Sequence, residues 1–192
     1  MACEFSGTVR DAFLDRGHDA WSCDLLPSES KRRKHLEIDA RDVLADGWDL
    51  MIAHPPCTFL ANSGNKHLYI GMKKVNGIDP KRWQQMLDAA EFFRCFLNAP
   101  IERIAVENPV MREPVQRVGR RPDQTIQPWQ FGHGEIKRTC FWLKNLPPLL
   151  PTNIVEGRTP RVHHETPSPD RWKNRSRTLP GIAQAMAEQW GG

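Results

Sequence analysis

Two positions in the chain have residue types and neighbours suited to chemistry. Cys57 follows His54-Pro55-Pro56, and Glu107 precedes Asn108-Pro109. A thiolate beside a carboxyl group suits addition to an electron-poor ring. The sulfur attacks a ring carbon while the carboxyl holds or protonates a ring nitrogen, so that charge does not build up. Such a carboxyl has to keep or share a proton near neutral pH. Quieter roles stay open for both. Cys57 could be a small apolar core residue, and Glu107 a loop carboxylate that caps backbone donors. His54 is placed either to stabilise a thiolate or simply to end a strand.

The elements around these residues favour the chemical reading. Residues 48–53 form a short apolar run of the kind a buried strand uses. Pro55 and Pro56 stop it, because proline removes backbone donors and forbids a continuing ladder or an immediate helix. Cys57 is therefore expected on a stiff turn just past a strand end. Residues 101–106 read as a further strand, ending at Glu107-Asn108-Pro109. In open α/β sheets, ligands gather outside the carboxyl ends of the strands, so both residues would face one crevice.

Earlier strand ends carry a second set of candidates. Residues 1–7 read as the end of a first strand with Gly7 as its turn. Thr8 caps a helix over 9–16 that Gly17 terminates. Residues 20–23 form a strand ending at Asp24, and 36–38 a strand ending at Asp39. Phe5-Ser6-Gly7 could bring backbone donors to a ligand, and Asp24 could accept from ribose hydroxyls, as in nucleoside-cofactor binding. A GxGxxG pattern is absent. Asp39 could accept from an adenine amine or cap a short turn over 41–45.

Downstream, 62–77 is polar and glycine-bearing and reads as a mobile loop. Asp79-Pro80 is a cap followed by proline at the first helical position. The helix it opens reaches Leu97, with Trp83, Met86, Leu87, Ala90, Phe93 and Leu97 on one stripe. Residues 111–134 read as irregular, 138–143 as a strand, and 180–190 as a closing helix. Strands alternating with helices indicate a doubly wound, mostly parallel α/β sheet.

At 192 residues with 39% hydrophobic content, the chain suits one globular domain with a real core. The net charge of +4 permits a polyanionic partner. Five cysteines without framework spacing suit a reduced, cytoplasmic setting. No apolar run has the length of a membrane span, and no signal-peptide pattern opens the chain. No CxxC pair occurs, and His163-His164 lacks a second ligand cluster, so no metal site is expected.

In motif order the chain resembles the DNA cytosine-5 methyltransferases, and among them the short, phage-type members. Glu4-Phe5-Ser6-Gly7 resembles the first S-adenosylmethionine loop, Asp24 the ribose acid and Asp39 the adenine-contacting acid. Pro56-Cys57 resembles the Pro-Cys nucleophile motif, with Asn62, Ser63 and Gly64 in the substrate loop behind it. Glu107-Asn108 resembles the Glu-Asn-Val motif, with Pro109 in place of Val. Lys137-Arg138 resembles the basic motif that helps hold a flipped cytosine, and Thr178-Leu179-Pro180-Gly181 the last motif.

The resemblance implies a Rossmann-like methyltransferase domain over 1–192, with 145–178 as a reduced nucleic-acid-contacting insert. Cys57 would be the nucleophile, with Glu107, Asn108, Lys137 and Arg138 in the catalytic set. Glu4, Phe5, Ser6, Gly7, Asp24, Leu25, Asp39 and Pro55 would hold S-adenosylmethionine. Cys57 would add to carbon 6 of cytosine in double- or single-stranded DNA, with the base flipped out of the stack. The small insert leaves open a free pyrimidine nucleotide as substrate. The short first strand leaves open a non-catalytic DNA- or cofactor-binding protein.

Overall fold

The computed structural model describes residues 1–111 and 115–192. In chain order the elements are α1 (Thr8–Asp15), β1 (Ser22–Asp24), β2 (His35–Glu37), β3 (Leu50–Ala53), α2 (Pro80–Leu97), β4 (Arg103–Pro109), α3 (Val115–Val118), β5 (Gln124–Ile126), β6 (Thr139–Lys144), α4 (Arg161–His164), α5 (Arg171–Ser176) and α6 (Pro180–Trp190). The chain divides into two compact units. One comprises Met1–Ala40, Thr125–Arg138 and Pro147–Gly192; the other comprises Arg41–Gln124 and Thr139–Leu146.

In the first unit, β1 and β2 run parallel. The opening strand is reduced to a single parallel bridge between Ala2 and Cys23, reinforced by Cys23 N–H donating to Met1 O and Glu4 N–H to Cys23 O. All three segments point the same way, so residues 3–7, Asp24 and Asp39 leave from one edge. Helices α1 and α6 pack together and bury Val9, Phe13, Ile182, Ala183, Met186 and Trp190. Helix α1 starts at Thr8 with Gly7 as its N-cap, and no cap residue supplies a side-chain bond. The expected Thr8 cap is replaced by Glu4, whose buried carboxylate accepts from Val9 N–H (2.6 Å) and Arg10 N–H (3.3 Å). A carboxylate also suits the positive end of the helix dipole.

Gly181 is a position of close approach. A Cβ built there would lie 2.0 Å from the Phe131 carbonyl oxygen, a backbone atom that cannot swing away. Gly181→Ala is expected to cost about 3 kcal/mol through overpacking. That corresponds to a melting temperature lower by roughly 6–12 °C in a chain of this size, measurable by thermal denaturation.

In the second unit, β3, β4 and β6 lie side by side in that order. Strands β3 and β4 are parallel, with Ala53 opposite Val106. Strand β6 is antiparallel to β4, so the expected mostly parallel sheet is mixed here. The reason is that Thr139–Leu143 is buried throughout, and a run without alternation does not reveal the direction of its neighbour. Helix α2 begins as expected: Asp79 accepts from Arg82 N–H at 2.9 Å and Pro80 stands at the first position. Its buried face is Met86, Ala90, Phe93 and Phe96, while Trp83, Leu87 and Leu97 are half-buried. Phe93 meets Trp142 edge to face at 5.0 Å.

Two stretches are more regular than expected. The 62–77 loop is a series of 3-10 turns: Asn62–Leu68, Ile70–Met72 and Lys74–Asn76. The 111–134 region contains β5 and a 3-10 turn at Pro128–Gln130; residues 112–114 lie outside the described residues, as does the side chain of His163. Among the described residues, no helix is long and apolar enough to cross a membrane.

Candidate active site

The second unit holds the nucleophile candidate and its carboxyl. Strand β3 ends at Ala53, and His54-Pro55-Pro56 carries the chain into Cys57. Strand β4 does not stop at Val106 as expected. It continues to Pro109, because β6 pairs antiparallel with it: Glu107 faces Phe141, Asn108 faces Cys140 and Pro109 faces Thr139. On its other side, β4 has outrun β3. The register that pairs Ala53 with Val106 carries on as side-chain contacts between the next residues.

His54 Nδ1 lies 3.4 Å from Glu107 Oε2, so the imidazole is set against the carboxyl. Asn108 Nδ2 donates to Pro55 O at 2.8 Å, in a buried bond that pins the double-proline turn to the strand. Past the turn, Cys57 O accepts from Leu60 N–H (3.0 Å) and Ala61 N–H (2.8 Å), and Asn62 N–H donates to Val110 O (2.8 Å). Cys57 is half-buried on this scaffold. Two polar atoms at the site, His54 Nε2 and Asn108 Oδ1, are buried and have no hydrogen-bond partner among the described residues. Unsatisfied buried groups are rare in folded proteins and call for an explanation, a functional role among them.

Arg82 supports the loop from below, and its type and spacing do not announce the role. Its Nη2 donates to Thr58 O at 3.2 Å, and its guanidinium covers the Phe59 ring at 4.3 Å. Burial pushes it down from the ordinary guanidinium value. A Cβ on Gly64 would lie 3.2 Å from Arg82 Nη2 and 3.3 Å from Thr58 O, so glycine lets the loop close over the guanidinium. Ser63 is exposed, while Asn62 is half-buried and accepts from Asn65 Nδ2 at 3.1 Å.

The first unit gathers the cofactor candidates other than Pro55, which belongs to the second. Gly7 has φ +74, and a Cβ on it would lie 2.5 Å from Arg10 Nη2. Arg10 is a buried cation that nothing in its sequence neighbourhood announces. It donates to Ser22 Oγ (2.8 Å), Ser28 Oγ (3.3 Å) and Asp11 Oδ1 (2.9 Å), and so braces the loop after β1. Phe5 is buried, with Trp172 against its ring at 5.9 Å. Phe5 O accepts from Glu29 N–H at 2.9 Å, and Glu29 takes two bonds from Arg177, at 2.7 and 2.9 Å.

Asp24 Oδ1 accepts from Leu26 N–H at 3.0 Å. Leu25 beside it is an exposed apolar residue, at 72%. Asp24 and Asp39 both act on the Cys3 thiol, which burial and then these charges push well above its ordinary value. Cys3 stays a neutral thiol and is no competitor for the nucleophile's role.

Glu4 and Lys137 are committed differently from expectation. The Glu4 carboxylate is occupied as the cap of α1, leaving it a structural role in the loop. Lys137 Nζ donates to Arg177 O at 3.2 Å, and its N–H to Gln127 Oε1 at 3.1 Å. Arg138 is exposed immediately ahead of β6. No protein-family model and no curated protein matches the chain.

Proposed function

We propose that the protein is a DNA cytosine-5 methyltransferase of Rossmann-like fold that works through a covalent bond from Cys57 to carbon 6 of the ring. The observation that carries this reading is the strand-end constellation in the second unit. A thiol stands on a turn clamped by Asn108. The same strand ends carry a carboxyl set against His54 and two buried polar atoms without partners among the described residues. A polar heteroaromatic ring is the kind of ligand that would engage such a set.

In this reading Cys57 Sγ forms a bond to carbon 6, and the carbon 5–carbon 6 π pair moves into the ring. Glu107 delivers or shares a proton at ring nitrogen 3, which keeps the adduct neutral. His54 is the positioning residue that orients Glu107. Carbon 5 is thereby electron-rich. After methylation, water takes the carbon-5 proton as the carbon–sulfur bond breaks, and ring nitrogen 3 returns its proton to Glu107, which restores the double bond and the thiolate.

S-adenosylmethionine, when bound, supplies an electrophilic methyl group. The first unit has features that fit it. Asp24 and Asp39 stand at the ends of parallel strands, the Phe5-Ser6-Gly7 loop is braced by Arg10, and exposed Leu25 offers an apolar surface next to Asp24. Transfer needs both sets of residues, and the chain contains both.

The direct test is DNA carrying 5-fluorocytosine, in which fluorine replaces the proton that must leave. With cofactor present, the wild-type protein is expected to form a denaturation-resistant adduct. The absence of any adduct would sink the mechanism.

Asp24 gives a second test. Burial, the larger effect, pushes its carboxyl up from the ordinary value, and the Leu26 amide opposes this. A carboxyl raised on folding stabilises the fold below its unfolded value and loses that contribution as pH rises through the folded one. Asp24→Asn keeps an acceptor for Leu26 N–H and removes the buried charge. It is expected to melt above the wild type at pH 7, with the difference disappearing near about pH 3, below the carboxylate range. Calorimetry at pH 7 should show weaker S-adenosylmethionine binding by the same variant.

A further inference from the structure

Phe5 stands in the loop assigned above to the cofactor, and its ring is already covered. Phe5 is buried, and Trp172 lies against it, with ring centroids 5.9 Å apart and planes tilted by 55°. Both residues belong to the first unit. Trp172 is itself 53% exposed, more than a tryptophan recruited for core packing keeps. A ligand that is to lie on the Phe5 ring has to displace this side chain.

The segment that carries Trp172 is tied mainly to itself. Between Glu165 and Arg177 the sequence has one large apolar residue, Trp172, among prolines, polar residues and charges. Arg171 Nε donates to Glu165 O and Asn174 Nδ2 to Glu165 Oε1, both at 2.8 Å, and Ser176 Oγ donates to Lys173 O at 2.9 Å. Arg177 fastens the far end. Its guanidinium donates to both oxygens of Glu29, at 2.7 and 2.9 Å, and its carbonyl accepts from Lys137 Nζ at 3.2 Å. Glu29 N–H in turn donates to Phe5 O at 2.9 Å. The fastening therefore reaches the same residue that Trp172 covers. Both partners of the ion pair are 36% exposed, and a pair so open to solvent adds little. One aromatic pair is also a modest contact. Closure held in this way is weak enough for a ligand to open.

We propose that residues 165–177 form an autoinhibitory strap over the cofactor loop. Trp172 occupies the place of the cofactor's aromatic base on Phe5, and the Glu29–Arg177 pair is the latch. The inference rests on the S-adenosylmethionine reading of the first unit and adds a closed state to it. Binding then carries the cost of opening, so the apparent affinity is the intrinsic one reduced by the open fraction. Loosening the strap tightens binding. A Trp172 that served as a wall of the cofactor site would have the opposite effect.

The test uses the full chain, as wild type, as Trp172→Ala, as Glu29→Gln and as the exchanged pair Glu29→Arg/Arg177→Glu. Glu29→Gln keeps the main-chain bond to Phe5 O. S-adenosylmethionine binding is measured by calorimetry, and trypsin cleavage after Arg171, Lys173 and Arg175 is followed by mass spectrometry. Trp172→Ala is expected to bind roughly 2- to 12-fold tighter than wild type, the equivalent of one aromatic pair. Glu29→Gln is expected to bind about 1.5- to 5-fold tighter, and the exchanged pair to return to the wild-type affinity. Cleavage within the strap is expected to rise severalfold when S-adenosylmethionine is added to the wild type, because proteolysis follows the open population.

Weaker binding by Trp172→Ala, or a strap that the cofactor protects from trypsin, would overturn the inference and make Trp172 a wall of the site. Unchanged binding in both Trp172→Ala and Glu29→Gln would overturn it as well. If neither wild type nor Trp172→Ala bound S-adenosylmethionine, the cofactor reading would fall. Faster cleavage of Glu29→Gln than of wild type would then keep the latched cover over Phe5, and equal cleavage would refute the latch too.

Discussion

A Cys57→Ala protein is expected to fold, to bind DNA and S-adenosylmethionine, and to transfer no methyl groups. The turn that presents Cys57 is held by main-chain atoms and by Asn108. Cys57 O takes the Leu60 and Ala61 amides, and Pro55 O takes the Asn108 amide; alanine keeps all of these bonds. The side chain is half-buried, so losing its sulfur should move stability by well under about 1 kcal/mol, as for other substitutions outside a packed core. Activity should fall on the order of 10⁴-fold or more, because nothing else at the site can form the bond to carbon 6. The adduct on 5-fluorocytosine DNA should vanish with it. Cys57→Ser tests the same point from another side: a hydroxyl of similar size keeps the packing but is a far weaker nucleophile at neutral pH. A structural cysteine would give the opposite pattern, with a lower melting temperature and methyl transfer retained by whatever fraction stays folded.

The Cys57 turn was legible because its signals are local. Two consecutive prolines end a strand whatever the rest of the chain does, and β3 stops where they require. The Asp79-Pro80 start of α2 and the Pro180–Trp190 helix are local in the same sense, and both have the expected bounds. What sequence could not supply is non-local. Glu107 and Asn108 lie inside β4 rather than beyond it, because β6, some thirty residues on, comes back antiparallel and pairs with them. The direction of that pairing leaves no mark in a run buried on both faces. Glu4 stands in a ligand-loop motif, yet its carboxylate is taken by Val9 and Arg10 amides that only the folded turn brings within reach. Arg10 and Arg82 look like ordinary surface cations in sequence, and each proves to brace a loop. Helices α4 and α5 are too short, and too closely flanked by proline, to develop a helical period. The 3-10 turns of 62–77 escaped for a similar reason, since glycine and polar residues are shared by coil and by tight turns.

Asn108 links the fold to the chemistry, and its replacement should affect both. Asn108→Ala leaves Pro55 O buried without a donor, at a cost of about 1–3 kcal/mol, or a melting temperature lower by roughly 2–12 °C. The turn then loses the buried bond that ties Pro55 to β4, and Cys57 drifts from its place. A displacement of about 1 Å at an attacking atom is worth on the order of 10² in rate. The expected loss is therefore about a hundredfold in kcat, with a much smaller change in S-adenosylmethionine affinity by calorimetry, because every residue proposed to hold that cofactor except Pro55 belongs to the first unit. Asn108→Asp should be worse than alanine. The carboxylate cannot donate to Pro55 O, and it places a second acid directly after Glu107 in a buried position, where an unpaired charge is costly. A positioning role is separated from mere stabilisation by measuring adduct formation on 5-fluorocytosine DNA well below the melting temperature of each variant. There every variant is folded, and only a displaced thiol slows the bond to carbon 6. If Asn108→Ala formed the adduct at the wild-type rate under those conditions, Asn108 would be a structural residue alone. The aim of the nucleophile would then have to come from the Pro55-Pro56 backbone itself.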